Sequence, residues 1–204
     1  MKDIKFFETE LCRITDKPLR DFARYYLENY TPSYFWEIGA SSSGKYHPKL
    51  AQGYGGLVRH TKAACLALEE VCFGDRYAYL TDQQKDYARV ACLLHDTIKY
   101  GFCLFDKDEY KNHAENGAEM AKAVWGEWGE INTDFPYLIH NAMQGHMGKW
   151  STHKDHRPFT MVDRAVCDAD YIASRSSIDF PIISDEYDLI AYWHEVEEND
   201  LLPF

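Results

Sequence analysis

A histidine and an aspartate stand side by side at the end of a strongly apolar segment. The four apolar residues 91–94 lead directly into His95 and Asp96. A carboxylate in such a position is costly to desolvate unless it is paired or binds a metal ion. We therefore expect a cationic partner for Asp96. Taken alone, the two residues leave a second interpretation open, in which Asp96 caps a loop and His95 is satisfied by a backbone carbonyl.

Other candidate residues lie near the ends of predicted helices and are of the same two types: His60, His113, His146 and Asp170. Each of them alone is more typical of a helix cap or of a satisfied polar group than of a ligand. The order in which they follow one another along the chain is the stronger signal.

The elements that must position these residues are predicted to be helical. Apolar residues recur at helical spacing in 17–30 and again in 57–74, and a helix that begins near Thr81 and Asp82 is apolar all round in its second half. Further helical runs begin near Asn112, at residue 136 and at residue 160, and no segment shows a convincing alternation of period two. The sequence predicts an all-α fold, a compact bundle of six or seven helices.

Composition limits the classes of function. The 204 residues are 46% hydrophobic and 27% charged, which predicts a single domain spanning 1–204 that folds alone. The net charge of −11 makes long nucleic acids and anionic membranes poor partners. Without a signal-peptide core or an apolar run of about 18 residues, we expect a cytoplasmic location. The six cysteines form no C-x-x-C pair and are interpreted as buried thiols.

The ordered set resembles the HD-domain superfamily of metal-dependent phosphohydrolases, whose pattern is H…HD…H…H…D on an all-α core. The resemblance covers roughly residues 50–175. Residues 55–61 read GGLVRHT, similar to the HD domains of bacterial 3′→5′ exoribonucleases, and residues 95–99 have the H-D-x-x-K form. Residues 113–118 are similar to the H-x-x-x-G-A of two-metal members, and residues 169–172 match A-D-x-[LI] near the last ligand.

The resemblance implies two divalent transition metal ions per chain, and the donor types suit Mn, Fe, Zn, Co or Ni. The first ion would be held by His60, His95, Asp96 and Asp170. The second would be held by His113, His146 and a bridging oxygen of Asp96. A shared carboxylate can hold two ions about 3.5–4 Å apart.

The sequence departs from the family pattern in places. Two-metal members often have a second histidine directly after the one at position 146, where this chain has Met147. His140 competes with His146, and both would face the same ion only if the helix breaks at Gly145. Asp168 competes with Asp170 because two residues on a helix lie about 200° apart, and the match to the family word favours Asp170.

Two lysines are predicted to contact the substrate. Lys99 follows Asp96 by three residues, where the resembling enzymes use a lysine on the substrate phosphate; the alternative is a solvated lysine near a helix C-terminus. Lys45 lies in a loop whose hydroxyls and amides suit phosphate or sugar binding, although a flexible surface loop explains it equally well. Four aromatic residues offer rings for stacking on a nucleobase, and none of them is assigned: Trp36, Tyr46, Trp150 and Tyr171.

The expected activity is hydrolysis of a phosphoester of a nucleotide or short oligonucleotide by a metal-bound hydroxide, as a phosphatase or a phosphodiesterase. Asp96 and Lys99 are the predicted catalytic residues. The alternatives are a 3′→5′ exonuclease on single-stranded RNA or DNA, a di-iron oxygenase that uses the same ligands, and a non-catalytic nucleotide-binding module.

Overall fold

The structure is a computed structural model that describes residues 4–41, 47–102, 107–129, 134–151, 153–178 and 180. These residues form seven α-helices and no strand, which confirms the predicted all-α class. The helices are α1 (Glu8–Arg13), α2 (Lys17–Asn29), α3 (Gly56–Ala67), α4 (Asp82–Leu94), α5 (His113–Trp128), α6 (Tyr137–Gly145) and α7 (Met161–Ala173). None of the helices described is long and apolar enough to cross a membrane.

Shorter helical segments connect the α-helices. A π-helical segment, Leu68–Arg76, continues α3 without a break. The 3₁₀ turns are Ile4–Phe7, Ser33–Trp36, Lys49–Ala51, Lys107–Asn112, Gly148–Trp150 and Lys154–His156. Two of these, Lys49–Ala51 before α3 and Gly148–Trp150 after α6, border the site described below.

Helix α4 is the centre of the bundle. It contacts α2, α3, α6 and α7, and residues 90–94 in its second half are all buried. Its start is fixed by a capping box, in which Thr81 accepts a hydrogen bond from the Gln84 backbone N–H and Gln84 accepts one from the Thr81 N–H. The helix that was predicted from its apolar second half is therefore the one against which α1, α2, α3, α6 and α7 pack, and it ends at Leu94, directly before His95.

The N-terminal segment is attached to α4 through a buried carboxylate. Asp86 accepts hydrogen bonds from the backbone N–H groups of Thr15 and Asp16 at 2.8–3.1 Å and from the guanidinium of Arg89 at 2.8 Å. Burial alone would raise the pKa of Asp86, but these donors hold it below its usual range. The pair of Asp86 and Arg89 thus fixes the start of α2 on the central helix.

Candidate metal centre

All six residues that the resemblance implies as metal ligands come together at one end of the bundle. His60 lies in the second turn of α3, His95 and Asp96 directly follow α4, and His113 is the first residue of α5. The two remaining residues are His146, directly after α6, and Asp170 in the C-terminal half of α7. Five helices therefore contribute to the cluster, and each contributes from a place that its own capping or packing determines.

One oxygen of Asp96 faces the helices α3, α4 and α7. Asp96 Oδ2 lies 3.7 Å from His60 Nε2 and 3.5 Å from His95 Nε2. Asp170 Oδ1 approaches the same two nitrogens, at 3.0 Å from His60 and 3.7 Å from His95. This half of the cluster consists of two imidazoles and two carboxylates around a common point.

The other oxygen of Asp96 faces α5 and α6. Asp96 Oδ1 lies 3.1 Å from His113 Nε2 and 3.6 Å from His146 Nε2, and the two nitrogens are 3.0 Å apart. Asp96 therefore lies between two pairs of imidazoles and presents one oxygen to each pair. The arrangement is that of a carboxylate able to bridge two cations.

The protonation of three imidazoles is fixed by the backbone. In each of them Nδ1 lies 2.5–2.6 Å from the carbonyl oxygen three residues earlier: His95 on Cys92, His113 on Tyr110 and His146 on Met143. A carbonyl can only accept, so Nδ1 carries a proton, and Nε2 is the ring nitrogen presented to the cluster. Such second contacts orient metal-binding histidines in proteins.

The donor atoms fit a cation and lack other partners. Two Nε2 lone pairs 3.0 Å apart, at His113 and His146, repel each other unless a cation or proton lies between them. His95 Nε2, Asp96 Oδ1 and both ring nitrogens of His60 are buried and make no hydrogen bond within the described part of the chain. Buried polar atoms without partners are costly, and metal ions in the two halves of the cluster would satisfy His60 Nε2, His95 Nε2 and Asp96 Oδ1.

Electrostatics keeps the carboxylates ionised and disfavours the imidazolium at two of the histidines. Burial would lower the pKa of His95, but Asp96 and Asp170 raise it above its usual value. Burial would raise the pKa of Asp96, but Lys99 and His95 hold it well below its usual range. His60 and His113 have lowered pKa values, chiefly because burial disfavours the imidazolium. The carboxylates are thus ionised and these imidazoles neutral at neutral pH, as metal coordination needs.

The structure also separates the competing residues. His140 lies away from the cluster, with Nε2 2.8 Å from a carboxylate oxygen of Glu119. Asp168 accepts hydrogen bonds from Arg76 and the Tyr77 hydroxyl, both at 2.7 Å, and makes no contact with the cluster. The cluster therefore contains His146 and Asp170, and α6 ends at Gly145, directly before His146.

Lys99 lies inside the cluster rather than in solvent. Its side chain is only 6% exposed, and its ammonium donates a hydrogen bond to Asp96 Oδ2. The interpretation of Lys99 as a solvated lysine is therefore wrong. The turn that carries Lys99 is held by Tyr34, whose hydroxyl accepts from the Tyr100 N–H at 3.0 Å and donates to the Gly101 carbonyl at 2.6 Å.

The paired glycines before His60 have a structural reason. Gly55 has φ +68°, a left-handed conformation that glycine adopts without strain, and it directly precedes α3. A Cβ on Gly56 would lie 2.4 Å from the Ala51 carbonyl oxygen. Arg59 holds the same loop by donating to the carbonyls of Leu50 and Gln52. The first turn of α3 thus packs directly on the preceding loop, and this contact places His60.

Replacing Gly56 with alanine is expected to destabilise the protein by about 1–3 kcal/mol and to weaken metal binding, because the new methyl group pushes α3 and His60 away from the loop. Urea unfolding and metal titration measure both effects. The control is Gly126→Ala in α5, where a Cβ meets nothing within 4 Å; it is expected to leave stability unchanged or slightly raised. Equal behaviour of the two variants would contradict the positioning role of Gly56.

One residue near the cluster was not singled out in the sequence. The ring of His47 contacts that of His60 edge-on, with centroids 5.1 Å apart, and its Nδ1 is buried without a hydrogen bond among the described residues. Burial and the nearby His60 lower the pKa of His47 to about 3. The sequence offers one signal that could have drawn attention to His47, which is its position directly before Pro48. Lys45 and Tyr46, in the same loop, lie outside the described residues.

Comparison with known proteins identifies the family. The model of the HD domain family matches residues 49–175, which include all six cluster residues. No curated protein and no solved structure gives a significant match to the chain. The matched region covers well over half of the 204 residues and agrees with the range expected from the sequence words. The chain belongs to the HD-domain superfamily of metal-dependent phosphohydrolases.

Proposed function

We propose that this protein hydrolyses a phosphoester of a nucleotide or short oligonucleotide with two divalent transition metal ions. The observation that carries the proposal is the placement of Asp96, whose two oxygens each face a separate pair of imidazole nitrogens at 3.1–3.7 Å. A second carboxylate, Asp170, joins one of these pairs. Membership of a superfamily of metal-dependent phosphohydrolases supports the same conclusion.

The two halves of the cluster support a proposal for the ligands of each ion. The first ion would be held by His60, His95, Asp96 and Asp170, and the second by His113, His146 and the other oxygen of Asp96. When bound, such ions supply a water nucleophile at neutral pH and offset the charge of the phosphoryl oxygens. The nitrogen and oxygen donors suit Mn, Fe, Co, Ni or Zn.

The chain's own groups bind and orient the reactants. Lys99 brings a buried ammonium to the edge of the carboxylate cluster, where it would bind a phosphoryl oxygen and stabilise the charge that develops there. The carbonyls of Cys92, Tyr110 and Met143 hold three imidazoles in fixed orientations. Low exposure of the cluster excludes bulk water, which strengthens each of these interactions.

The net charge of the protein favours a small substrate. A chain with a net charge of −11 attracts a long polyanion poorly, so we propose a nucleotide or a short strand rather than a long nucleic acid. Lys45 stays a prediction as a second phosphate contact. Its test is Lys45→Ala, which would raise KM with unchanged metal content.

The proposal is tested with purified protein loaded in turn with Mn²⁺, Co²⁺, Ni²⁺ or Fe²⁺. Substrates are nucleoside mono- and triphosphates, cyclic dinucleotides and short single strands. We expect metal-dependent release of phosphate or of a nucleotide from at least one of them, and its loss with EDTA. Uniform inactivity across the panel would contradict the proposal. Oxygen uptake by the iron form would favour an oxygenase, and tight nucleotide binding without turnover would favour a binding module.

A further inference from the structure

Two exposed aromatic rings stack on each other beside the metal centre. Trp150 and Tyr171 have ring centroids 5.8 Å apart and an interplanar angle of 16°. The residues remain 52% and 42% exposed. We refer to this pair as the aromatic platform. Of the other two aromatic candidates in the sequence, Trp36 is buried and Tyr46 lies outside the described residues.

The backbone holds the platform in place. Trp150 ends the 3₁₀ turn Gly148–Trp150, which follows His146. Gly148 has φ +55° and packs on α7 so closely that a Cβ would lie 2.7 Å from the Sγ of Cys167. Cys167 is one helical turn before Tyr171 on the same face of α7. The close contact at Gly148 therefore brings Trp150 against Tyr171.

Two cations lie over the rings of the platform. The Arg175 guanidinium lies 4.3 Å from the Tyr171 ring centroid and 6.0 Å from that of Trp150, and the Lys149 ammonium lies 4.5 Å from the Trp150 centroid. This positive surface stands on a chain whose net charge is −11. Flat rings next to lysine and arginine are the combination with which proteins bind nucleobases and their phosphates.

The platform contains the chain neighbour of Asp170, which is the most exposed of the six cluster residues. Asp170 has a side chain that is 19% exposed, whereas the other five cluster residues are at most 2% exposed. Tyr171 is the next residue along α7, and Trp150 follows His146 by four residues. Asp170 and Tyr171 therefore lie on neighbouring faces of α7, about 100° apart.

We propose that the aromatic platform binds the nucleobase of the substrate while the phosphate of the same molecule lies at the metal centre. The inference rests on the proposed function and deepens it, since it assigns a base-binding site and a class of ligand with a base next to the scissile phosphoester. Stacking is tolerant of sequence because every base offers a flat face. The platform thus selects base-bearing phosphoesters over base-free ones without selecting one base.

The test compares two ligands that share a ribose and a 5′-phosphate and differ at C1, where one carries adenine and the other a hydroxyl group. Adenosine 5′-monophosphate and ribose 5-phosphate are titrated by calorimetry into the metal-loaded full-length protein. The proteins compared are the parent and the variants Trp150→Ala and Tyr171→Ala. The ratio of the two affinities is expected to favour the nucleotide in the parent and to fall by about tenfold in each variant. Trp150→Phe and Tyr171→Phe keep a flat ring and are expected to restore most of the ratio.

The control is Tyr79→Ala, since Tyr79 is 94% exposed and precedes α4, whose far end carries His95 about 20 Å away. It is expected to leave the ratio unchanged. Equal affinity ratios in the parent and both platform variants would overturn the proposal. A platform variant that changes only the oligomeric state of the protein would also overturn it, because the patch would then be a protein interface. Turnover of substrate by the parent protein tests the proposed function separately. If the parent is active and the affinity ratio is the same in the platform variants, the proposed function stands and only the role of the platform is wrong.

Discussion

Replacing Asp96 with alanine is expected to remove both metal ions and to lower turnover at least about 10³-fold. The reason is its position between two pairs of imidazoles, since neither half of the cluster keeps its shared carboxylate when Asp96 is lost. Metal ions supply several kcal/mol of transition-state stabilisation, and about 1.4 kcal/mol corresponds to a tenfold change in rate. Metal analysis and a turnover assay on the same preparation measure the two losses.

Folding must be separated from metal binding in this variant. Asp96→Ala leaves the ammonium of Lys99 buried without its partner, which destabilises proteins by about 3–5 kcal/mol. Asp96→Asn keeps the shape of the side chain and removes its charge, so loss of metal in a folded Asp96→Asn protein isolates the role of the carboxylate. The matched control is Asp168→Asn on α7, which is expected to keep the metal content of the parent.

A variant of the second half tests the assignment of two ions. His113→Ala is expected to keep about one metal per chain, because His60, His95 and Asp170 still surround one oxygen of Asp96. Because His140 pairs with Glu119, His140→Ala is expected to keep both ions. Parent-like metal content in a folded Asp96→Asn variant would show that His95 and Asp96 are a structural pair, and the proposed function would be lost with it.

Apolar periodicity in the sequence predicted the helical class, and the resemblance to the HD-domain superfamily implied the members of the cluster. A carboxylate at the end of an apolar helix, as at Asp96, requires a cationic partner wherever the helix packs. The structure adds a physical reason for Gly56 before His60, which is its close backbone contact with Ala51. Signals of this kind are local, and they can be recognised in the sequence without knowledge of the fold.

The remaining features depend on packing between distant segments. His140 and His146 are equivalent in type, and only the end of α6 at Gly145 and the pairing of His140 with Glu119 separate them. The burial of Lys99 follows from its contact with Asp96 and from the Tyr34 hydroxyl that holds the adjoining turn. Trp150 and Tyr171, which stack on each other, are 21 positions apart in the chain, so no local sequence pattern predicts their contact.

Replacing Lys99 with methionine is expected to lower kcat/KM by about 10²–10³-fold while metal content is kept. Methionine preserves an apolar stem of similar length but removes the ammonium that would meet the phosphoryl oxygen. Burial alone would lower the pKa of Lys99, but Asp96 raises it above its ordinary value. The ammonium therefore stays charged across the working pH range, and no limb of a pH–rate profile is expected from it.

A second role for Lys99 gives a different result. If the ammonium serves only as the counter-ion of Asp96, bound metal takes over that role, and metal-loaded Lys99→Met turns over substrate at close to the parent rate. If Lys99 binds the phosphoryl group, the metal-loaded variant stays slow at saturating metal, and Lys99→Arg recovers part of kcat/KM because it restores the charge in a different shape. Measuring kcat/KM against metal concentration for the three proteins decides between the two roles, since only the counter-ion role predicts that the curves converge at high metal.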